Sequence, residues 1–417
     1  MPYDFEARLG AYADLIVRVA VNVRAGQRLL IIGPLTYGGV SLEAAPLVRC
    51  VTERAYAAGA TYVETLWGDE ALLATRFAHA PRDSFDEFSA WLPDALSDHV
   101  KNGHAVLSIY ANDPDQLKDA PPELVAAVQQ ATASNVRPFR EHISRNHTNW
   151  AVVAAPAVAW AARVFPDIEP SQQVARLWEA ISRLCRLDQP DPIVAWETHL
   201  GELAERTECL NRKQYTALQY RAPGTNLTIG LAEGHQWVGG SSINAAGFRF
   251  APNLPTEEVF TMPHKDRVNG TVRSTKPLSY GGTLIEGFSL RFVDGRVVEV
   301  NADRGESVLR TLVAMDAGAA RLGELALVPH SSPISQTGRL FYNTLFDENA
   351  ASHVALGAAY KFTLRGGEAM SEDAFEAAGG NRSAAHVDFM IGSGELDVDG
   401  VLPGGAVEPV MRRGEWV

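Results

Sequence analysis

Residues 28–67, RLLIIGPLTYGGVSLEAAPLVRCVTERAYAAGATYVETLW, set the fold class that this sequence predicts. They open with RLLIIG (28–33), a short apolar run of strand length, followed by a segment of helical periodicity over 41–60 that stops at Gly59. TYVETLW (61–67) has the composition of a second strand. Strand, helix and strand of these lengths predict a βαβ unit, which pairs its strands in parallel and requires cover over the sheet.

The same alternation continues on both sides of this unit. Residues 5–24 carry apolar groups three and four positions apart, which predicts an amphipathic helix ended by Gly26. HAVLSIYA (104–111) and WAVVAAP (150–156) predict further strands of the same sheet, with helices between them. GPLTYGG (33–39) matches neither G-x-G-x-x-G nor a phosphate loop, so it favours a plain turn over a nucleotide site.

Beyond about residue 190 the hairpin signals increase and the regular alternation fades. FSLRFVDGRVVEV (288–300) predicts two strands joined at Asp294-Gly295, a strong type I′ hairpin signal. ELDVDGV (395–401) repeats that signal, and residues 306–324 have helical spacing. The second half of the chain is therefore expected to be a mixed α+β structure.

We place the boundary between the two halves near DQPDP (188–192). The overall prediction is an α/β protein with an N-terminal parallel-sheet scaffold domain over 1–190 and a mixed α+β domain over 191–417.

Composition excludes several classes of protein. Of the 417 residues, 46% are hydrophobic and 21% charged, as in globular proteins, and the net charge is −13. An acidic surface repels phosphate groups, so we expect no binding to nucleic acid or to anionic membranes. The longest apolar run tested, Trp150–Ala162, contains Pro156 and is too short to span a bilayer.

The N-terminus and the cysteines indicate the compartment. The first residues lack a basic patch followed by an apolar core, so we expect no secretory signal. Cys50, Cys185 and Cys209 are too few and too widely spread for a disulfide framework. These features predict a cytoplasmic protein.

The sharpest candidate for a site is AHVDFMIG (385–392). On a strand, His386 and Asp388 share one face while Val387 and Phe389 point to the other. The pair fits two ligands side by side, and it fits a solvent-facing strand edge equally well.

Two further segments offer a histidine and carboxylates. In FYNTLFDENAASHVALG (341–357), Glu348 and His353 would lie about 140° apart on a helix, so they share no helical face. Either the segment is not a plain helix or the two side chains approach one site from opposite edges, and a capping or surface role for Glu348 stays open. Glu324 has apolar neighbours, so it is either at a surface turn or paired with a cation.

LPTEEVFTMPHK (254–265) contributes the adjacent acids Glu257 and Glu258, which face opposite ways on an extended chain. At most one of them is expected to enter a given site. Together these segments supply carboxylates and two histidines with few basic residues to neutralise them. Divalent cations offset such charge best, and oxygen-rich sites with some imidazole suit Zn, Co, Mn or Mg.

These segments resemble a known family as a set. NLPTEEVFTMP, DAGAARLGELALV, SPIS, FYNTLFDENAASHVALG and AHVDFMIGSGELDVDG are similar, in order and spacing, to the aminopeptidase T family of metallopeptidases, which includes aminopeptidase S and PepS. YADLIVRVAVNVRAGQRLLI and PGTNLTIGL match the opening and middle of that family, so the resemblance covers nearly the whole chain.

The resemblance implies a metalloaminopeptidase that removes N-terminal residues from peptides with a water activated by two divalent ions, and it implies a homodimer. It places catalytic roles on Tyr360 and Glu324, with Glu324 favoured as the ligand that bridges the metals. The metal site would lie in the C-terminal domain. The implied metal ligands are Glu258, Glu324, Glu348, His353, His386 and Asp388.

Two other functions remain open at this point. The same fold family includes Fe(II) ring-cleaving dioxygenases that act on dihydroxypyridines, for which His353, His386 and Asp388 would form the facial triad. The surplus of negative charge from the three glutamates of the ligand set favours the peptidase. A non-catalytic peptide-binding protein is the third hypothesis, and the intact ligand set disfavours it.

Overall fold

A computed structural model describes residues 5–280 and 283–417, which form two compact units. The first unit comprises the chain through Leu200, with Ser241–Pro255 and Phe341–Leu345. The second comprises Gly201–Gly240, Thr256–Leu340 and Phe346–Val417. In the described ranges no helix is long and apolar enough to cross a membrane.

The helices and strands follow in chain order. The α-helices are α1 (Phe5–Leu15), α2 (Ala45–Ala57), α3 (Glu70–His79), α4 (Trp91–Lys101), α5 (Pro122–Asn135), α6 (Arg137–Ser144), α7 (Val158–Val164), α8 (Pro170–Leu184), α9 (Pro192–Lys213), α10 (Glu306–Val313), α11 (Thr344–Asp347) and α12 (Glu372–Ala377). The strands are β1 (Arg28–Ile32), β2 (Val40–Ser41), β3 (Tyr62–Thr65), β4 (Trp67–Gly68), β5 (Ala105–Tyr110), β6 (Trp150–Ala154), β7 (Ala217–Ala222), β8 (Thr225–Leu231), β9 (Val238–Gly239), β10 (Ser242–Ile243), β11 (Arg249–Phe250), β12 (Val259–Thr261), β13 (Pro263–Arg273), β14 (Leu278–Tyr280), β15 (Thr283–Ile285), β16 (Ser289–Val293), β17 (Arg296–Asn301), β18 (Leu322–Leu327), β19 (His353–Gly357), β20 (His386–Met390), β21 (Asp397–Val401), β22 (Val407–Arg412) and β23 (Glu415–Trp416).

The first unit is built on the predicted parallel sheet, whose strand order is β3-β1-β5-β6. Strand β1 is central, and Leu29 pairs in parallel with Val63 on one side and Ala105 on the other. The βαβ unit predicted from 28–67 is confirmed as β1, α2 and β3. Four of the five residues of β1 are buried, as expected for a sheet with helices on its faces.

The second unit contains two larger sheets that share one hydrophobic core. A five-stranded antiparallel sheet has the order β20-β19-β18-β12-β9, and an eight-stranded sheet has the order β17-β16-β13-β8-β7-β21-β22-β23. Val354 and Phe389 of the first sheet belong to the same buried cluster as Leu218 and Phe292 of the second. The α/β class with a mixed second half is therefore confirmed.

The hairpin predicted at Asp294-Gly295 is confirmed, because β16 and β17 pair across that turn and both residues have positive φ, 45° and 78°. A type I′ turn requires this backbone conformation at both central positions.

The second predicted hairpin turn, at Asp399-Gly400, is wrong. Both residues lie inside β21, which pairs with β7 and β22. A Cβ on Gly400 would stand 2.4 Å from the Tyr215 ring, so close packing and not a turn explains this glycine.

The helix predicted over 306–324 is also only partly correct. Helix α10 ends at Val313, and the chain enters strand β18 at Leu322. Between them the Asp316 carboxylate accepts hydrogen bonds from the backbone N–H groups of Gly318 and Ala319, which hold the chain in a turn. Glu324 therefore lies on a strand and not on a helix.

Candidate metal centre

The candidate site lies on one face of the five-stranded sheet. Glu324 on β18 is paired with Ala355 on β19, and Ala355 is paired with Asp388 on β20. Residues directly opposite in antiparallel strands project to the same side, so the two carboxylates flank a small methyl group. The other face of these strands carries the apolar side chains that fill the core, including Val354 and Phe389.

Two histidines on this face lie close to the carboxylates. The His353 Nε2 atom is 3.2 Å from Glu258 Oε2 and 3.6 Å from Glu324 Oε1. The His386 Nε2 atom is 3.8 Å from Glu324 Oε2 and 3.7 Å from Asp388 Oδ1. Each imidazole therefore lies between two acids, and Glu324 offers one oxygen to each histidine.

Both imidazoles are oriented by backbone carbonyls. The Nδ1 atoms of His353 and His386 lie 3.0 Å from the carbonyl oxygen of Ala351 and 2.8 Å from that of Ala358. Because a carbonyl oxygen can only accept, Nδ1 must donate, which leaves Nε2 of the neutral ring with its lone pair toward the acids. This is the tautomer that coordinates a metal ion through Nε2.

Among the described residues, the donor atoms form two groups suited to a cation. Glu258, Glu324 and His353 offer ligand atoms within 4.8 Å of one another, and so do Glu324, His386 and Asp388. Glu324 belongs to both groups. Within 4.0 Å, the ion pairs of Glu258, Glu324 and Asp388 in the described chain are with histidines and not with lysine or arginine.

The donor set fits divalent metal ions. Glu258 Oε2 and Asp388 Oδ1 are buried without a hydrogen-bond partner in the described structure, and such atoms are costly to leave unsatisfied. Burying several carboxylates together with only imidazoles for cover costs several kcal/mol per ion. A dication placed among them would remove both penalties, and oxygen ligands with two imidazoles match Zn, Co or Mn.

The pKa shifts reflect the same crowding of negative charge. Burial raises the pKa of Glu324 to about 7, an effect that the neighbouring His353 opposes and the charge of Asp388 reinforces. Burial alone would lower the pKa of His353, but Glu258 and Glu324 raise it well above its usual value. Without a bound metal ion, the Glu324 carboxyl and the His353 imidazole therefore keep their protons to higher pH than usual.

Glu348 lies beside these residues but in neither three-residue group. Burial, followed by the charges of Glu258 and Asp388, raises the pKa of its carboxyl group well above the usual value. Glu348 occupies a short 3₁₀ turn and His353 begins β19, so the segment that joins them is not a plain helix. The surface role left open for Glu348 does not fit a carboxyl group among buried acids.

Tyr360 follows β19 and lies against His386, with ring centroids 4.8 Å apart. Burial and then the charges of Glu324 and Asp388 raise the pKa of its hydroxyl well above the usual value. Tyr360 therefore stays protonated and keeps a proton to donate. The Tyr360 ring also stacks on Phe362, which the sequence patterns did not single out, although it stands only two positions from Tyr360.

The two adjacent acids of TEEVF are both buried, with 4% of Glu257 and 6% of Glu258 exposed. Glu258 contacts His353, and the backbone N–H of Glu257 donates to Asn349 Oδ1 at 2.7 Å. Asn349 and the carbonyls of Ala351 and Ala358 position the site without any motif that would have identified them. Backbone carbonyls carry no sequence signal, so only the folded chain reveals these supports.

Comparisons with known proteins give matches over nearly the whole chain. A family described as thermophilic metalloprotease (M29) matches residues 5–416. Aminopeptidase 2 of Geobacillus stearothermophilus is 47% identical over 412 residues, covering 99% of this chain and 98% of the relative. Aminopeptidase T of Thermus thermophilus is 46% identical over 413 residues, covering 99% of both chains.

A solved structure has the same fold. The structure titled wild-type AmpT from Thermus thermophilus matches with a TM-score of 0.92 and 45% identity, covering 99% of this chain and 100% of that chain. The resemblance found in the sequence motifs is thereby confirmed over the full length. The protein is a member of the M29 family of thermophilic metalloproteases.

Proposed function

We propose that this protein is a metal-dependent aminopeptidase, a hydrolase that removes N-terminal residues from peptides. Membership of a metalloprotease family and relatives named aminopeptidases establish the class of enzyme. The single observation that carries the proposal is the pair of donor groups that share Glu324. The dioxygenase alternative is not supported, and its triad of His353, His386 and Asp388 is divided between the two groups.

The residues that would hold the metal follow from the two groups. We assign one ion to Glu258, Glu324 and His353, and a second to Glu324, His386 and Asp388, with Glu324 as the shared ligand. Zn, Co, Mn and Mg are the candidate ions. Bound divalent ions lower the pKa of a water molecule toward neutrality and polarise a peptide carbonyl.

Glu348 and Tyr360 would act on the substrate from beside these ligands. Glu348 completes the expected set of six ligands and is the member outside both groups, so its carboxylate is the least engaged. We assign to it the acceptance of a proton from the attacking water and the return of that proton to the leaving amine as the peptide C–N bond breaks. The protonated Tyr360 hydroxyl would donate a hydrogen bond to the carbonyl oxygen as negative charge develops there.

The preference for the first residue of a peptide is explained by the same acids. A free α-amine is positively charged, and a carboxylate of the cluster would bind it. A peptide bond farther along the chain would lack that contact and would not be held in place. The proposed substrates are therefore peptides with a free N-terminus.

We further propose a cytoplasmic homodimer. All three cysteines are free, which suits a reducing compartment. Sedimentation equilibrium at micromolar concentration should give twice the mass of one chain. A monomer under those conditions would contradict the dimer without affecting the proposed reaction.

Metal analysis combined with an activity panel tests the function. The purified protein should contain about two equivalents of divalent metal per chain and release p-nitroaniline from aminoacyl-p-nitroanilides. Chelator should abolish that release, and added Zn, Co or Mn should restore it. N-acetylated anilides serve as the matched control and should not be cleaved. Chelator-resistant cleavage, or dioxygen uptake with a dihydroxypyridine, would overturn the proposal.

A further inference from the structure

Three aromatic rings stand in sequence beside His386. The Tyr360 ring, next to His386, is stacked on Phe362 with centroids 5.2 Å apart and planes 18° apart. Phe362 in turn meets Phe260 edge-on, at 6.1 Å and 80°. We call Tyr360, Phe362 and Phe260 the aromatic row.

The aromatic row connects two parts of the metal centre. Its first ring contacts His386, and its last residue, Phe260, lies on β12, the strand that directly follows Glu258. Phe260 is paired with Ala326 on β18, and Ala326 is paired with His353 on β19, so Phe260 projects to the same side of the sheet as His353. The row therefore begins and ends at residues of the cluster.

The rings of the aromatic row keep part of their surface open. Tyr360 is 39% exposed, and Phe260 and Phe362 are partly exposed. Large aromatic side chains are usually buried in the protein core. A row of partly exposed rings beside buried charged groups therefore indicates a surface that contacts a ligand.

Lys361, which lies between Tyr360 and Phe362 in the chain, has an ammonium group that binds partners outside the aromatic row. Lys361 Nζ donates to the carbonyl oxygen of Met370 at 2.9 Å and pairs with Glu372 at 2.8 Å. The same ammonium group lies over the Phe375 ring. Lys361 is thus held by other partners, and the faces of the three rings are aromatic carbon.

We propose that the aromatic row is the subsite for the side chain of the substrate's first residue, and that it selects aromatic and large aliphatic residues over small ones. This inference rests on the proposed aminopeptidase function. If the cluster holds the bond next to the first residue, that residue's side chain must lie beside the cluster. Aromatic rings bind apolar side chains through stacked and edge-on contacts.

Variants of Phe362 test the subsite. For phenylalanine and alanine p-nitroanilides, Phe362→Ala should lower the ratio of kcat/KM values about tenfold, and Phe362→Leu should lower it less. Phe260→Ala should lower the ratio in the same direction. The matched control is Phe248→Ala, which removes an exposed phenylalanine ring from the first unit and should leave the ratio unchanged.

Calorimetry with L-phenylalaninol and L-alaninol gives a readout that needs no turnover. The wild-type protein should bind L-phenylalaninol more tightly, and Phe362→Ala should lose that preference. Unchanged ratios in Phe362→Ala and Phe260→Ala with normal metal content would overturn the subsite while leaving the aminopeptidase intact. If no anilide is cleaved, the proposed function fails, and the calorimetric preference still decides whether the row binds an aromatic side chain.

Discussion

Asp399 and Glu324 are both buried carboxylates on strands of the second unit, with 5% and 6% of their surface exposed, but their neighbours differ. Asp399 on β21 accepts a hydrogen bond from Arg221 Nη1 at 2.6 Å and a second one from Arg412. Among the described residues, the ion pairs of Glu324 on β18 within 4.0 Å are with the imidazoles of His353 and His386, and other acids lie nearby.

The two sites have opposite pKa shifts. Burial alone would raise the pKa of Asp399, but hydrogen bonds from Arg412 and Arg221 lower it below its usual value. Burial raises the pKa of Glu324 to about 7, and the charge of Asp388 adds to that effect. A buried acid with arginines is complete within the chain, whereas a cluster of acids with imidazoles requires a cation from outside.

The largest loss of bound metal and of activity is expected on substitution of Glu324, the ligand that both donor groups share. Glu324→Gln removes a negative charge that both donor groups use, so metal content should fall and kcat/KM should decrease by about a thousandfold or more. Because the substitution also relieves repulsion among buried acids, the metal-free variant should unfold at no lower urea concentration than the metal-free wild type. If Glu324→Gln kept its full metal content and a normal kcat/KM, Glu324 would not differ in its role from the arginine-paired Asp399.

A smaller loss of activity is expected at Tyr360, whose ring lies against His386 and to which we assign a hydrogen bond to the substrate rather than a metal ion. Tyr360→Phe should lower kcat about a hundredfold, the usual cost of losing one donor to a developing oxyanion. Metal content measured by mass spectrometry should stay at the wild-type level. An unaltered kcat would discard the proposed role of Tyr360.

For the arginine-paired site, the effect should be on stability alone. Asp399→Asn leaves the guanidinium groups of Arg221 and Arg412 without a charged partner and should lower the free energy of unfolding by about 1–3 kcal/mol in urea titrations. Metal content and kcat/KM should equal those of the wild type. A loss of bound metal in Asp399→Asn would show that the two sites are not independent.

The smallest expected effect is a change with pH in the difference in unfolding free energy between the wild type and Asp399→Asn. The pKa of Asp399 is lowered in the folded chain, so its contribution is fully present above the unfolded value of about 3.9 and is lost as the pH falls through the folded value. The gap between wild type and Asp399→Asn in urea unfolding should be constant from pH 7 to pH 5 and shrink below about pH 4. A gap that grows in acid would contradict the assigned ion pairs.

Local patterns predicted the parts of the fold that depend on short-range physics. The apolar run at 28–33 identified a central strand, and Asp294-Gly295 identified a turn because both positions need positive φ. The predictions failed where distant partners decide the outcome. Asp316 ends the helical pattern with the help of Ser383, and Gly400 is a glycine because Tyr215 packs on it.

The residues of the site likewise divide into those that local sequence patterns predicted and those that only the folded chain brings together. Alternation on one strand correctly placed His386 beside Asp388, whose Nε2 and Oδ1 atoms are 3.7 Å apart. No spacing rule could bring Glu258, which directly precedes β12, next to His353 on β19, and only the resemblance to a family united them. The carbonyl of Ala351 that fixes the His353 ring carries no sequence signal at all.

Anomalous X-ray diffraction from crystals grown with Zn or Mn shows whether the acids around Glu324 are buried because divalent cations bind them. We expect two peaks, one among Glu258, Glu324 and His353 and one among Glu324, His386 and Asp388. Crystals with saturating metal and no peak at either group, or with peaks only at surface carboxylates, would contradict that expectation.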